Sequence, residues 1–412
     1  MRTIAQRPLL AALAFAALGL CGCGKGGAEQ LARNGPTRKL APVEAQGAVS
    51  VATRNTTRLG GADVAADAAA VARAVYPGLT AATRPQVVLL VNEHDALAAL
   101  AASVLSSAPT GAPILYSEGE TLPAVSRQTL EAMRPLGAPT LGGVQVIRVG
   151  TDTAVPDGYL ARPLSVGTPA ATAAAVEHLL LVLDRYSAPR QVIVLASDTP
   201  PALAMPAAGL AAESGAPILL VTSAHVPAAT AAVLAALRRP SIYVIDPAAV
   251  GRHTIDSLRR LGPVTSIPSG HPAGAGAGEA AVQNAIEVAR FTDGAFGFGI
   301  KEPGHGLVFA NAARPLDAPA SALLSATGDY GPLLLLTSAT QLASALVTYL
   351  TDIQPAYSNT PQFAPVRGAY NHGWLIGDEG AIATITQAEV DTILEIRQQT
   401  QTSEEPSVAP VE

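Results

Sequence analysis

The 412-residue chain has two cysteines, Cys21 and Cys23, both near its start, and none from Gly24 onward. A thiol nucleophile, a Cys-ligated metal and an internal disulfide are thereby excluded from the body, which must stand on its hydrophobic core. With 49% apolar residues it can. Aromatic residues are scarce at 4%, charged residues make up 14%, and the formal charge is −6. No stretch interleaves aromatics with Lys or Arg, so the footprint of a nucleic-acid-binding protein is missing. The seven histidines (His94, His178, His225, His253, His271, His305, His372) are dispersed, with no i, i+4 pair to ligate a metal. No Gly-x-Ser-x-Gly elbow occurs.

The first residues read as export machinery. Arg2 and Arg7 precede an apolar run, Leu9 to Leu20, that is too short to span a bilayer. Leu20-Cys21-Gly22-Cys23-Gly24 resembles a bacterial lipobox. Cys23 fits the modified position better than Cys21, because bulky Leu20 directly precedes Cys21; an ordinary signal peptide with incidental cysteines is the alternative. The expected layout is a signal peptide over 1–22, lipid attachment at Cys23, a Gly/Pro/Ala-rich tether over 23–48 and a polar tail over 399–412. Loss of Arg2 and Arg7 leaves 24 basic residues against 32 acidic ones, about −8.

What is present is repetition. Gln86-Val-Val-Leu-Leu-Val-Asn92, Asp95-Ala-Leu97 and Gly111-Ala-Pro-Ile-Leu115 return as Gln191-Val-Ile-Val-Leu-Ala-Ser197, Pro201-Ala-Leu203 and Gly215-Ala-Pro-Ile-Leu219. A more drifted copy runs Gly306-Leu-Val-Phe-Ala-Asn311, Asp317-Ala318 and Gly331-Pro-Leu-Leu-Leu-Leu336. Gly111, Gly215 and Gly331 lie about a hundred residues apart, a domain-scale period rather than a solenoid one. The copies divide the chain into repeats over 49–155, 156–262 and 263–398.

Within each, helical stretches precede the first strand (Ala62–Tyr76, Pro169–Asp184, Glu279–Arg290) and follow the second (Leu122–Met133, Val226–Leu237, Ala339–Leu350). A third strand follows (Val144–Val149, Ile242–Asp246, Trp374–Gly377). The strands are near-continuous apolar runs, as strands covered on both faces require. The expected class is α/β: three tandem, similar, open parallel-sheet units packed with pseudo-threefold symmetry.

Thr57-Arg-Leu-Gly-Gly-Ala-Asp63 before an Ala-rich helix resembles the opening motif of the cell wall-binding repeat 2 family. Asp95-Ala-Leu97 and Gly111-Ala-Pro-Ile-Leu115 are similar to its next landmarks, and Trp374-Leu-Ile-Gly-Asp-Glu-Gly-Ala381 to its last. The resemblance covers about Val49 to Arg397. It implies three tandem repeats that bind cell-envelope polymer noncovalently and hold proteins at the surface of Gram-positive bacteria. Departures stand beside it: Val64 replaces an Arg of the pattern, Asp67 lies near an expected Thr, and Pro201 replaces the Asp in the second copy.

The residues singled out for polymer contact are Arg58, Asp63 and Asp95. Each has a structural reading too: Asp63 and Asp95 as helix N-caps, Arg58 as an internal partner of Asp63. Arg127, Arg134, Arg148, Arg238, Arg239, Arg259 and Arg260 are further cations, read mostly as solvated charges at helix ends. Gly274-Ala-Gly-Ala-Gly278 is read as a loop rather than a dinucleotide fingerprint, since it fills the slot of Gly60-Gly-Ala-Asp63. Tyr370-Asn-His-Gly-Trp374 is read as a loop entering the last strand, with sugar stacking on Trp374 as the alternative. The expectation is a noncatalytic, lipid-anchored envelope protein without cofactor or metal, facing the wall and binding an anionic wall polymer or a peptidoglycan-associated glycan. The alternative is a surface lipoprotein that binds a solute or a protein partner.

Overall fold

Runs such as Val88–Val91 and Ile218–Val221 bury every side chain, and a strand can do that only with helices on both sheet faces. The computed structural model describes residues 49–164, 167–185, 187–271, 274–326, 330–356 and 370–397. The expected signal peptide, Cys23, the expected tether and the tail over 399–412 lie outside the described residues.

The chain enters through β1 (Val49–Ala52), β2 (Thr56–Gly60) and α1 (Val64–Val75). The first unit follows as β3 (Val88–Asn92), α2 (Ala96–Ala102) with a 3₁₀ turn at Ser103–Ser106, β4 (Ile114–Ser117), α3 (Ala124–Met133) and β5 (Val146–Val149). Then β6 (Ala161–Leu164) and α4 (Pro169–Leu183) lead to the second: β7 (Gln191–Ala196), α5 (Pro201–Ala204), α6 (Pro206–Ser214), β8 (Ile218–Val221), α7 (Ala228–Ala236), β9 (Ser241–Val244), α8 (Pro247–Val250) and α9 (Arg252–Leu261). Next, β10 (Val264–Ser266) and α10 (Ala277–Arg290) lead to the third: β11 (Gly306–Asn311), α11 (Asp317–Ser325), β12 (Tyr330–Leu336), α12 (Ser344–Asp352), β13 (His372–Ile376) and α13 (Thr384–Leu394).

Three sheets result, ordered β4-β3-β5-β6, β8-β7-β9-β10 and β12-β11-β13-β2-β1. All pairings are parallel except that of β1 with β2. The α/β class and the three similar parallel units expected from sequence are thus present. In each sheet the fourth strand is the one that opens the next sequence repeat. β6 completes the first sheet, β10 the second, and β2, from the start of the described chain, completes the third.

The connecting helices repeat this handover. After its strand, α1 covers β4 and reaches α11, α4 covers β8 and reaches α2, and α10 covers β12 and reaches α5 and α6. At the centre α6 and α11 pack together with the 3₁₀ turn at Ser103–Ser106. Their alanines keep the backbones close. A Cβ at Gly209 would lie 2.8 Å from Ser325 Oγ, so glycine is needed where α6 meets α11. Gly111 and Gly215 occupy left-handed backbone (φ 55° and 68°), Gly215 as the cap that ends α6. Gly331 recurs for another reason: it stands in β12, where a Cβ would lie 2.4 Å from the Gly306 carbonyl.

Candidate functional site

Helices running antiparallel to the strands put their N-termini at the carboxyl edge of each sheet and their C-termini at the amino edge. Helix dipoles therefore favour anions at the first edge and cations at the second. The sequence follows this division.

Asp63 caps α1, accepting the Ala66 N–H at 2.8 Å, and Asp95 caps α2, accepting the Ala98 N–H at 2.9 Å. Both are at the carboxyl side. Asp95 also lies at the switch point of the first sheet, where a Cβ on Gly150 after β5 would be 3.4 Å from its Oδ2. Glu93 stands close by, its carboxyl pushed up by burial and by the charges of Glu118 and Asp63. This edge carries acidic side chains.

Arg58 lies in β2, only 4% exposed. Its Nε and Nη2 donate to Gln387 Oε1 at 3.1 and 2.9 Å, and Nη1 donates to the carbonyls of Gly377 and Asp378 at 3.0 and 2.8 Å. Burial lowers its hold on the proton, opposed by Glu379 and Asp378. The expected internal partner, Asp63, is not among these contacts; α13, which supplies Gln387, was not recognised from sequence. Beside Arg58 a cavity of about 500 Å³ opens between the β1–β2 hairpin and α13, with Thr53, Glu379, Thr384, Gln387 and Asp391 on its walls.

The exposed cations gather elsewhere. Arg238 and Arg239 follow α7, Arg259 and Arg260 end α9, Arg185 follows α4, and Arg190 immediately precedes β7. All six are exposed and all stand at the amino edge of the second sheet. Arg239 Nη1 donates to the Arg260 carbonyl at 3.2 Å, which ties the ends of α7 and α9, and the Ser241 N–H donates to the Arg190 carbonyl at 2.8 Å. Of the acids nearby, Asp256 pairs with Arg259 at 2.6 Å with both side chains 60% exposed, a weak solvated bridge. Arg185, Arg238 and Arg239 all adopt left-handed backbone (φ 52°, 56° and 67°), uncommon for non-glycine residues.

The other cations are more engaged. Arg134 Nη2 donates to the Gly78 carbonyl and Arg148 Nη1 to those of Asp152 and Thr153. Arg127 lines a cavity of about 390 Å³ with Glu131 and Asp157. Trp374 stands in β13, half-buried against the core and edge-on to His372 at 5.0 Å between centroids. Among the described residues no group of His, Cys, Asp or Glu could hold a metal ion, and no helix is long and apolar enough to cross a membrane.

The fold defines an α/β protein of three interlocked parallel-sheet units, with six exposed arginines at the amino edge of the second. Solved structures of similar fold are Cwp6 and Cwp8 from Clostridium difficile. Cwp6 superposes with a TM-score of 0.61 at 17% identity over 84% of this chain and 51% of its own. Cwp8 gives 0.60 at 16% identity over 83% of this chain and 52% of its own. The chain thus spans about half the length of either, and the likeness is one of fold. No family model and no curated protein matches the chain.

Proposed function

We propose that the protein is a noncatalytic cell-envelope component that associates with the cell wall by holding an anionic wall polymer at the amino edge of its second sheet. The observation that carries this reading is the gathering of Arg185, Arg190, Arg238, Arg239, Arg259 and Arg260 on one edge, where they outnumber the acids Asp184, Glu213 and Asp256. Guanidinium groups are suited to phosphate and carboxylate because their planar fork donates two parallel hydrogen bonds. The two structural neighbours are cell wall proteins, which agrees with an envelope location. Lipid attachment at Cys23, expected from the sequence, would hold the protein at the envelope.

This reading moves the contact away from Arg58, Asp63 and Asp95, whose side chains are occupied by capping and buried pairing. The test is wall co-sedimentation of the full chain carrying Arg238→Glu, Arg239→Glu and Arg260→Glu together. The proposal expects loss of at least about tenfold in affinity, roughly 1.4 kcal/mol, per folded molecule. Unchanged binding by the folded triple variant would refute it.

A second reading, capture of a small polar solute, is favoured by the 500 Å³ cavity beside Arg58, a size usual for small-molecule sites. Native mass spectrometry of the purified protein would reveal a retained metabolite, and mass equal to that of the bare chain would count against capture.

A further inference from the structure

A buried group of charges lies where the start of the described chain closes onto the third unit. Asp67, on α1, and Asp317, the first residue of α11, are both 0% exposed. Arg314 stands between them: its Nη2 donates to Asp67 Oδ2, and its Nε donates to Asp317 Oδ2 at 3.0 Å. Asp67 Oδ1 accepts the Gly61 N–H at 2.7 Å. Asp317 Oδ1 has no donor among the described residues.

Two carboxylates around a single guanidinium leave one uncompensated negative charge in a dry site. Isolated buried charge is so costly that such groups take up a proton instead. The other groups facing the pair supply no further positive charge. Asp378 Oδ1 is 3.9 Å from Arg314 Nη1 and adds a further, 40% exposed anion. The Tyr116 hydroxyl, on β4, donates to the Leu316 carbonyl at 2.6 Å and is therefore committed.

We propose that Asp67 and Asp317 share one proton, and that this proton latches the segment β2–α1 onto the third unit. One carboxyl, one carboxylate and one guanidinium make the group neutral, and the acid proton completes the hydrogen bonding that Asp317 otherwise lacks. Burial pushes both acids up from their ordinary range; the neighbouring Asp67 carboxylate adds to the rise at Asp317, and the charge of Asp378 adds to it at Asp67. A raised acid pKa means that the folded state binds the proton more tightly than the unfolded chain. The latch is therefore fully present at low pH and is lost as pH rises through the folded-state value. Loss of the proton to solvent restores two like charges side by side. The contacts that then weaken are α1 on α11 and β2 on β13, which close the circle of three units.

Hydrogen–deuterium exchange on the full chain between about pH 5 and about pH 9, corrected for intrinsic rate, tests this. The readout is protection over 56–75 relative to β7. The latch expects that ratio to fall by about tenfold or more as pH rises, and to stay level in Asp317→Asn, which mimics the protonated acid. A wild-type ratio that ignores pH, or a variant that follows the wild type, would overturn it. Should Asp317→Asn and Asp67→Asn both fail to fold, infrared spectroscopy of Glu177→Gln, which lacks the other carboxyl that burial lifts to about 7, decides. A protonated-carboxyl stretch at neutral pH that vanishes together with protection supports the latch, and its absence refutes it.

Discussion

Arg58→Ala would leave Gln387 Oε1 and the carbonyls of Gly377 and Asp378 without the donors they have now, around a side chain that is buried in the wild type. Leaving buried polar groups unpaired is among the larger single-residue penalties, so the variant should lose about 2–4 kcal/mol of stability by denaturant unfolding. Wall binding per folded molecule should be unchanged; a selective binding defect at full stability would restore Arg58 as a contact residue. Asp63→Ala and Asp95→Ala each remove one N-cap and should cost about 1 kcal/mol. The capping role of these two aspartates was legible in the sequence, because an Asp before an Ala-rich helix has few other uses. The burial of Arg58 was not, since it depends on Gln387, 329 positions away in the chain. Nor was the buried triad: Asp67 reads as a drifted landmark and Asp317 as a recurrence of the Asp95 slot until Arg314 is placed between them.

At the scale of elements, strands and helices within each repeat were legible because their apolar runs and Ala-rich stretches are long. Helix α4, for instance, was expected over Pro169–Asp184 and ends at Leu183. The exchanged strands β2 and β6 were harder, being short and polar enough (Ala161-Arg-Pro-Leu164, for example) to read as linker. What makes each of them a strand is the free edge of another unit's sheet.

Two predictions belong to this scale. Glu177 on α4 is nearly fully buried, and burial pushes its carboxyl up to about 7. The folded state then binds this proton more tightly than the unfolded chain. Stability should fall as pH rises from the ordinary glutamate range to about 7, and Glu177→Gln should lessen that fall in melting curves taken across the interval. Gly209→Ala places a methyl group 2.8 Å from Ser325 Oγ, and the resulting separation of α6 from α11 should cost about 1–3 kcal/mol. A neutral outcome would mean that Ser325 simply rotates away.

For the whole molecule, the handover of strand and helix from unit to unit turns three repeats into one closed body. The sequence period shows that there are three units, but their mutual packing emerges only from where β2, β6 and β10 pair. The cationic edge has the same character. Arg238, Arg239, Arg259 and Arg260 are visible as pairs at two helix ends, while Arg185 and Arg190 look like isolated surface charges. Only the parallel order β8-β7-β9-β10 brings all six to one edge. That edge stands opposite in sign to the capped aspartates first considered for polymer contact.

Exposed charge pairs are screened over a Debye length of about 8 Å at physiological salt, so binding through this edge must weaken as salt is added. The most direct measurement is co-sedimentation of the full chain with purified walls, native and stripped of anionic polymer, across a salt series. The account predicts binding to native walls that declines steadily with salt and is absent from stripped walls. Equal binding to both, or binding indifferent to salt, would contradict it.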